Sequence, residues 1–165
     1  MKKKESGFTL IELLIVIAII GILAAIAIPN LLNAVQRGKQ KRTMSDMRAL
    51  ATAVEAYAVD DNYYPTAAGC GTYPYVATPV IIDDNSWSQL SPTYIGNAPK
   101  RDAWSNLYGY VRDAAGNNYE IASRARDGAA TAFAAPTVCG TTTNFNDDII
   151  YADGTFTQWP EGPQY

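Results

Sequence analysis

At 165 residues the chain is long enough for one compact domain plus an extended element, and too short for two independent cores. A pI near 4.8 and a net charge of -3 argue against a nucleic-acid backbone as main partner, because neutralising phosphates takes a basic surface. Histidine is absent, which removes the commonest general base and metal ligand and any Ser-His or Cys-His arrangement, so the chain does not read as an enzyme.

The chain opens Met1-Lys2-Lys3-Lys4-Glu5-Ser6-Gly7, continues Phe8-Thr9-Leu10-Ile11-Glu12, and then carries no charge over the 24 residues from Leu13 to Gln36. That stretch is long enough to cross a bilayer as a helix. Three readings fit it: a secretory signal peptide ending at the Ala25-Ile26-Ala27 site, an ordinary single-pass anchor, or a filament subunit held in the membrane before assembly. Glu12 separates them, since a carboxylate in such a segment costs up to about 3 kcal/mol and implies a partner. Basic residues lie on both sides, Lys2 to Lys4 before and Arg37, Lys39, Lys41 and Arg42 after, so the positive-inside rule does not set the orientation.

Gly7-Phe8-Thr9-Leu10-Ile11-Glu12 resembles the processing motif of type IV pilins and of the pseudopilins of type II secretion. The resemblance implies a leader, residues 1–7, cut by a prepilin peptidase between Gly7 and Phe8, followed by N-methylation of Phe8. Residues 8–36 then form a transmembrane and polymerisation helix, with Glu12 paired to the Phe8 amine of a neighbouring subunit. The implied partners are further copies of the chain in a helical homopolymer, other pilins or pseudopilins, the peptidase and an inner-membrane assembly platform. The implied location is the bacterial inner membrane, crossed once with the N-terminus cytoplasmic and the C-terminal domain periplasmic, and later a periplasmic or cell-surface filament.

Helical patterning continues past the apolar run: Met44, Met47, Ala51, Val54 and Ala58 recur at steps of three or four, with Ser45, Arg48, Thr52 and Glu55 opposite. Residues 37–61 are therefore the amphipathic half of one helix from about Thr9 to Asp61, roughly 80 Å long at 1.5 Å per residue. Pro29 inside it removes a backbone donor and predicts a kink or loosened turn. By the same resemblance, Pro29 marks where an assembled filament stretches the helix. The helix is expected to end at Asp60-Asp61-Asn62, because Tyr64-Pro65 disfavours helical geometry, and residues 63–100 read as a long loop.

Residues 62–165 form the expected globular part. Leu107 to Val111 and Tyr119 to Ser123 flank Ala115-Gly116-Asn117 as a hairpin, and Ile149 to Tyr151 and Thr155 to Trp159 flank the tight-turn pair Asp153-Gly154. The fold class is α+β: a long N-terminal helix, transmembrane in its first half, packed through its second half on a small C-terminal antiparallel sheet in a pilin-like ladle. The only cysteines, Cys70 and Cys139, are outside any C-x-x-C pair and read as one structural disulfide. The exposed-stacking alternative for Tyr57, Tyr63, Tyr64, Tyr73 and Tyr75 is set below core packing and subunit contacts.

Asp102-Ala103-Trp104-Ser105-Asn106-Leu107-Tyr108 resembles the Asp-Pro-Trp-Gly-Asn-Pro-Tyr stretch of major pseudopilins, departing from it at Ala103, Ser105 and Leu107. That narrower resemblance implies an optional structural calcium, held by Ser123, Asp127, Asp147 and Asp148 with backbone oxygens; no other cofactor is expected. The expected function is a structural subunit of a type IV filament, a pseudopilin of type II protein secretion. The alternatives are a type IV pilin of an extracellular fibre for adhesion, motility or DNA uptake, and an anchored or secreted binding or catalytic domain.

Overall fold

The computed structural model describes residues 7–63, 80–81, 90–112, 118–129 and 140–164. One helix, α1, spans Leu10–Asp61, and the chain divides into two compact units, one up to Val35 and one from Gln36 onward. The first unit holds the apolar part of α1. Its large side chains face outward all round, with Leu10 87% and Ile22 65% exposed, and a window long and apolar enough to span a membrane has no buried residue. A helix apolar on every side finds its partners in lipid or in other helices. Pro29 offers no N–H to the carbonyl four residues back, yet α1 runs through it as helix on both sides. Beside it, Asn30 Nδ2 donates to the Ile26 carbonyl at 3.2 Å.

In the second unit the same helix becomes one-sided. Gln40, Thr43, Met47, Leu50, Val54 and Ala58 are buried at steps of three or four, with Ala51 and Ala53 buried between them, while Ser45, Arg48 and Thr52 are exposed. The period-3.6 pattern therefore selects the face that meets the sheet. Glu55, expected among the solvent-facing residues, is half-buried because its Oε1 accepts the Tyr119 hydroxyl at 2.6 Å. The helix stops at Asp61, and Asn62 takes the left-handed conformation (φ 57°) that closes many helix ends.

Among the described residues six short strands form one sheet: β1 (Val80–Ile81), β2 (Gly109–Arg112), β3 (Tyr119–Ser123), β4 (Gly140–Thr142), β5 (Ile149–Ala152) and β6 (Thr155–Pro160). Their spatial order is β1-β2-β3-β5-β6-β4. The β5–β6 turn has Asp153 at φ 47° and Gly154 at φ 85°, two left-handed residues in succession, as the Asp-Gly pair foretells. The sheet is mixed, because β4 lies parallel to β6 (Gly140 opposite Gln158) while the other four pairings are antiparallel. β4 is an element that the sequence pattern does not predict, and β1 falls within the stretch expected to be loop.

The core sits between α1 and the sheet. Met47, Leu50 and Val54 meet Tyr108, Tyr119, Ile121 and Ile149, all at 1% exposure or less. Each such side chain contributes about 1.5–3 kcal/mol on burial. On the other side of β3, alternate to Tyr119 and Ile121, Glu120 is also buried, at 2% exposure.

Candidate functional site

The head of α1 is built by a reciprocal cap. Glu12 Oε2 accepts the Thr9 backbone N–H at 2.8 Å and the Thr9 hydroxyl at 2.7 Å, while the Glu12 N–H donates back to Thr9 Oγ1 at 3.3 Å. A Thr-x-x-Glu capping box satisfies donors that the first helical turn otherwise leaves open. Thr9, which the sequence reading passed over, is thus the residue that positions Glu12; the spacing itself carried the signal. Both contacts fall on Oε2, so the box leaves Oε1 available to a cation from outside. Phe8, next to this carboxylate, is 86% exposed. A Cβ added at Gly7 meets nothing within 4 Å, so the fold itself sets no demand for glycine there. Residues 1–6 of the leader lie outside the described residues.

A second polar centre lies in the globular unit around Asp102, 5% exposed. Its Oδ1 accepts the backbone N–H groups of Trp104 and Asn106, both at 2.9 Å, and its Oδ2 accepts the Ser123 hydroxyl at 2.7 Å. Ser105 between them stands at φ 74°, and Asn106 Nδ2 donates to the Ala125 carbonyl at 2.7 Å. Trp104 Nε1 reaches Gln36 Oε1 at 2.8 Å, and the Ala103 N–H reaches Thr43 Oγ1 at 3.2 Å. The Asp-x-Trp-x-Asn run is therefore a clasp that joins α1, the start of the sheet and the 124–128 turn. The motif's letters show Asp102 but not that it is the hub of these contacts.

The calcium donors are brought together only in part. The 124–128 turn meets the 144–148 turn through the Arg126 N–H to the Phe145 carbonyl (3.2 Å) and Arg126 Nε to Asn146 Oδ1 (2.8 Å). A guanidinium thus occupies the seam between them, and it sits 5.8 Å from the Phe145 ring centroid. Ser123 is turned toward Asp102, and Asp127 Oδ1 accepts the Ala129 N–H at 2.9 Å as the cap of its own turn. Asp148 is buried at the entrance to β5, and the Asp147 N–H closes a turn onto the Asn144 carbonyl at 3.2 Å. Among the described residues no three acidic, cysteine or histidine side chains gather as a metal group. Cys70 and Cys139, the expected disulfide, lie outside the described residues.

Burial perturbs the acidity of Glu120, Tyr119 and Tyr108, all raised above their ordinary values. Burial, with the Asp153 charge second, pushes the Glu120 carboxyl up to about 8, and its Oε1 meets no donor among the described residues. Burial and the hydrogen bond to Glu55 push the Tyr119 phenol far above its ordinary range.

Comparison with known proteins gives consistent relatives. Residues 2–28 match the prokaryotic N-terminal methylation motif, and residues 30–137 match the family described as type II secretion system (T2SS), protein G. The type II secretion system core protein G of Aeromonas hydrophila is 35% identical over 129 residues, covering 78% of this chain and 88% of that protein. Its counterparts in Vibrio cholerae and Escherichia coli K12 are each 33% identical, covering 86% and 84% of their own lengths. No solved structure gives a match.

Proposed function

This chain belongs to the type II secretion system protein G family, and we propose on that basis that it is a pseudopilin whose work is polymerisation through the N-terminal helix. A prepilin peptidase removes residues 1–7, and the new Phe8 amine is methylated; the match of residues 2–28 to the methylation motif supports both steps. Until assembly the subunit rests in the bacterial inner membrane, N-terminus cytoplasmic and globular unit periplasmic, where the platform and other pseudopilins meet it. The finished filament lies in the periplasm.

The observation that carries this reading is an acid at the head of a helix that is apolar and exposed all round. In a medium that screens little, Glu12 gains most when a cation supplied by a neighbour reaches its carboxylate. The methylated Phe8 amine of the next subunit is that cation, and the Thr9 cap holds Glu12 ready for it. Pro29 gives the helix one turn with a missing hydrogen bond, where extension during assembly is easiest. The protein G match over residues 30–137 supports the secretion filament over an extracellular fibre.

Intact mass and N-terminal sequencing of the protein recovered from membranes test the proposal. The expected chain begins at methylated Phe8. An uncut Met1, or a start near Ile28, overturns it.

A further inference from the structure

In the globular unit a groove runs between α1 and the end of the sheet, and its two halves share Met44 and Arg48. One half, about 430 Å³, is floored by Phe156 and Trp159; the other, about 540 Å³, is rimmed by Arg37 and Lys41. Residues 37, 41, 44 and 48 follow one another at helical spacing, so the cations form a stripe along a single face of α1. Arg48 lies over the Phe156 ring at 5.0 Å from its centroid, whereas Arg37 and Lys41 are exposed and form no ion pair among the described residues. Glu161 is the one acid on the rim, against three cations. The groove is an aromatic floor with a positive wall.

The chain carries the complement of that groove at the far end of the same helix. Beyond Val35 the large apolar side chains that stand exposed among the described residues are Val59, at 76%, and Tyr63, at 63%. They bracket Asp60 and Asp61; Asp60 accepts the Tyr94 hydroxyl at 2.8 Å, and Asp61 beside it is exposed. Charge is divided in the same sense over the chain, since residues 62–165 hold five Lys and Arg against ten Asp and Glu.

We propose that the Arg37–Lys41–Arg48 groove receives the acidic-aromatic end of α1, Val59 to Tyr63, from a second copy of this chain. Groove and knob are different patches of one molecule, separated by roughly 20 Å of helix between residues 48 and 61. A contact between unlike patches is heterologous, and its repetition gives an open helical polymer. The proposal rests on the polymerisation reading and deepens it: Tyr63 of one copy fills the hollow over Phe156 and Trp159, and Asp61 meets Arg37 and Lys41. This adds a periplasmic contact to the pairing expected within the membrane.

The test uses the full chain, expressed with its secretion machinery, with pelletable polymer measured after shearing. Arg37→Glu with Lys41→Glu is expected to lower pelletable polymer at least tenfold, and Asp61→Lys is expected to lower it as well. Combining the three changes in one chain is expected to restore most of it, because each knob then meets a groove of opposite charge. Melting curves of the detergent-solubilised variants, expected to match the parent, show that folding is intact. If the parent polymerises and the groove variant pellets equally well, or if Asp61→Lys does not rescue it, the groove proposal falls and the pseudopilin reading stands. If the parent makes no polymer, the reading beneath both falls.

Discussion

Glu120 makes the stability of this protein depend on pH in a direction opposite to that of an ordinary carboxylate. It is the second residue of β3, at 2% exposure, with its carboxyl pushed from 4.5 up to about 8. Between those values the unfolded chain releases the proton and the folded chain keeps it, so the folded state binds more protons and stability falls as pH rises. The loss is at most about 1.4 kcal/mol per pH unit, it accumulates to about 5 kcal/mol across the window, and it ceases above pH 8 where both states are ionised. A domain of this size has a total stability of about 5–15 kcal/mol, so the effect is large enough to measure. Glu120→Gln keeps the shape and removes the charge. Urea titrations of detergent-solubilised full-length protein from pH 5 to 9, followed by circular dichroism at constant ionic strength, are expected to give a downward slope for the parent. The variant's slope should be flatter by about 1 kcal/mol per pH unit, leaving it the more stable of the two at pH 9. Equal slopes for the two proteins would refute the assignment of a neutral, buried acid.

Asp102→Ala removes the acceptor of two backbone N–H groups and of the Ser123 hydroxyl, and is expected to lower unfolding free energy in urea by about 3–5 kcal/mol. Thr9→Val deletes the hydroxyl of the capping box at a cost of about 1 kcal/mol, visible as faster amide hydrogen exchange over the first turn of α1 in detergent micelles. With Arg126 in the seam between the 124–128 and 144–148 turns, millimolar calcium or a chelator is expected to leave the melting temperature unchanged. A rise with calcium would mean that these turns rearrange to bind it.

Local rules found the elements whose residues carry a strong signal of their own. The helical stripe from Met47 to Ala58, the stop at Asp61 and the Asp153-Gly154 hairpin were all legible, because period, breaker and turn chemistry act within a few residues. β4 was not, since Gly140-Thr141-Thr142 has neither alternation nor bulk, and it pairs only because β6 passes beside it. Val80–Ile81 is too short to rise above its Gly- and Pro-rich surroundings. At the site, the Gly7 to Glu12 motif located the helix head, but the Thr9 contact depends on helix geometry that a string of letters shows only as spacing. The contacts around the expected calcium donors were not legible either, since Ser123 Oγ bonding to Asp102 and Arg126 bonding to Asn146 join residues about 20 positions apart.

The parallel pairing of β4 with β6 makes one edge of the sheet depend on the segment after β6. Thr142 lies opposite Pro160, and the Thr142 carbonyl accepts both the Glu161 N–H at 3.2 Å and Gln164 Nε2 at 2.6 Å, while Gln164 Oε1 takes Gln40 Nε2 at 3.3 Å. Residues 158–164 thus close the sheet's edge and fasten it to α1. A chain truncated before residue 158 leaves β4 with no neighbour on the β6 side, an edge that proteases and stray strands recognise. The sheet edge is therefore only as secure as the segment from Thr155 to Gln164 that covers it.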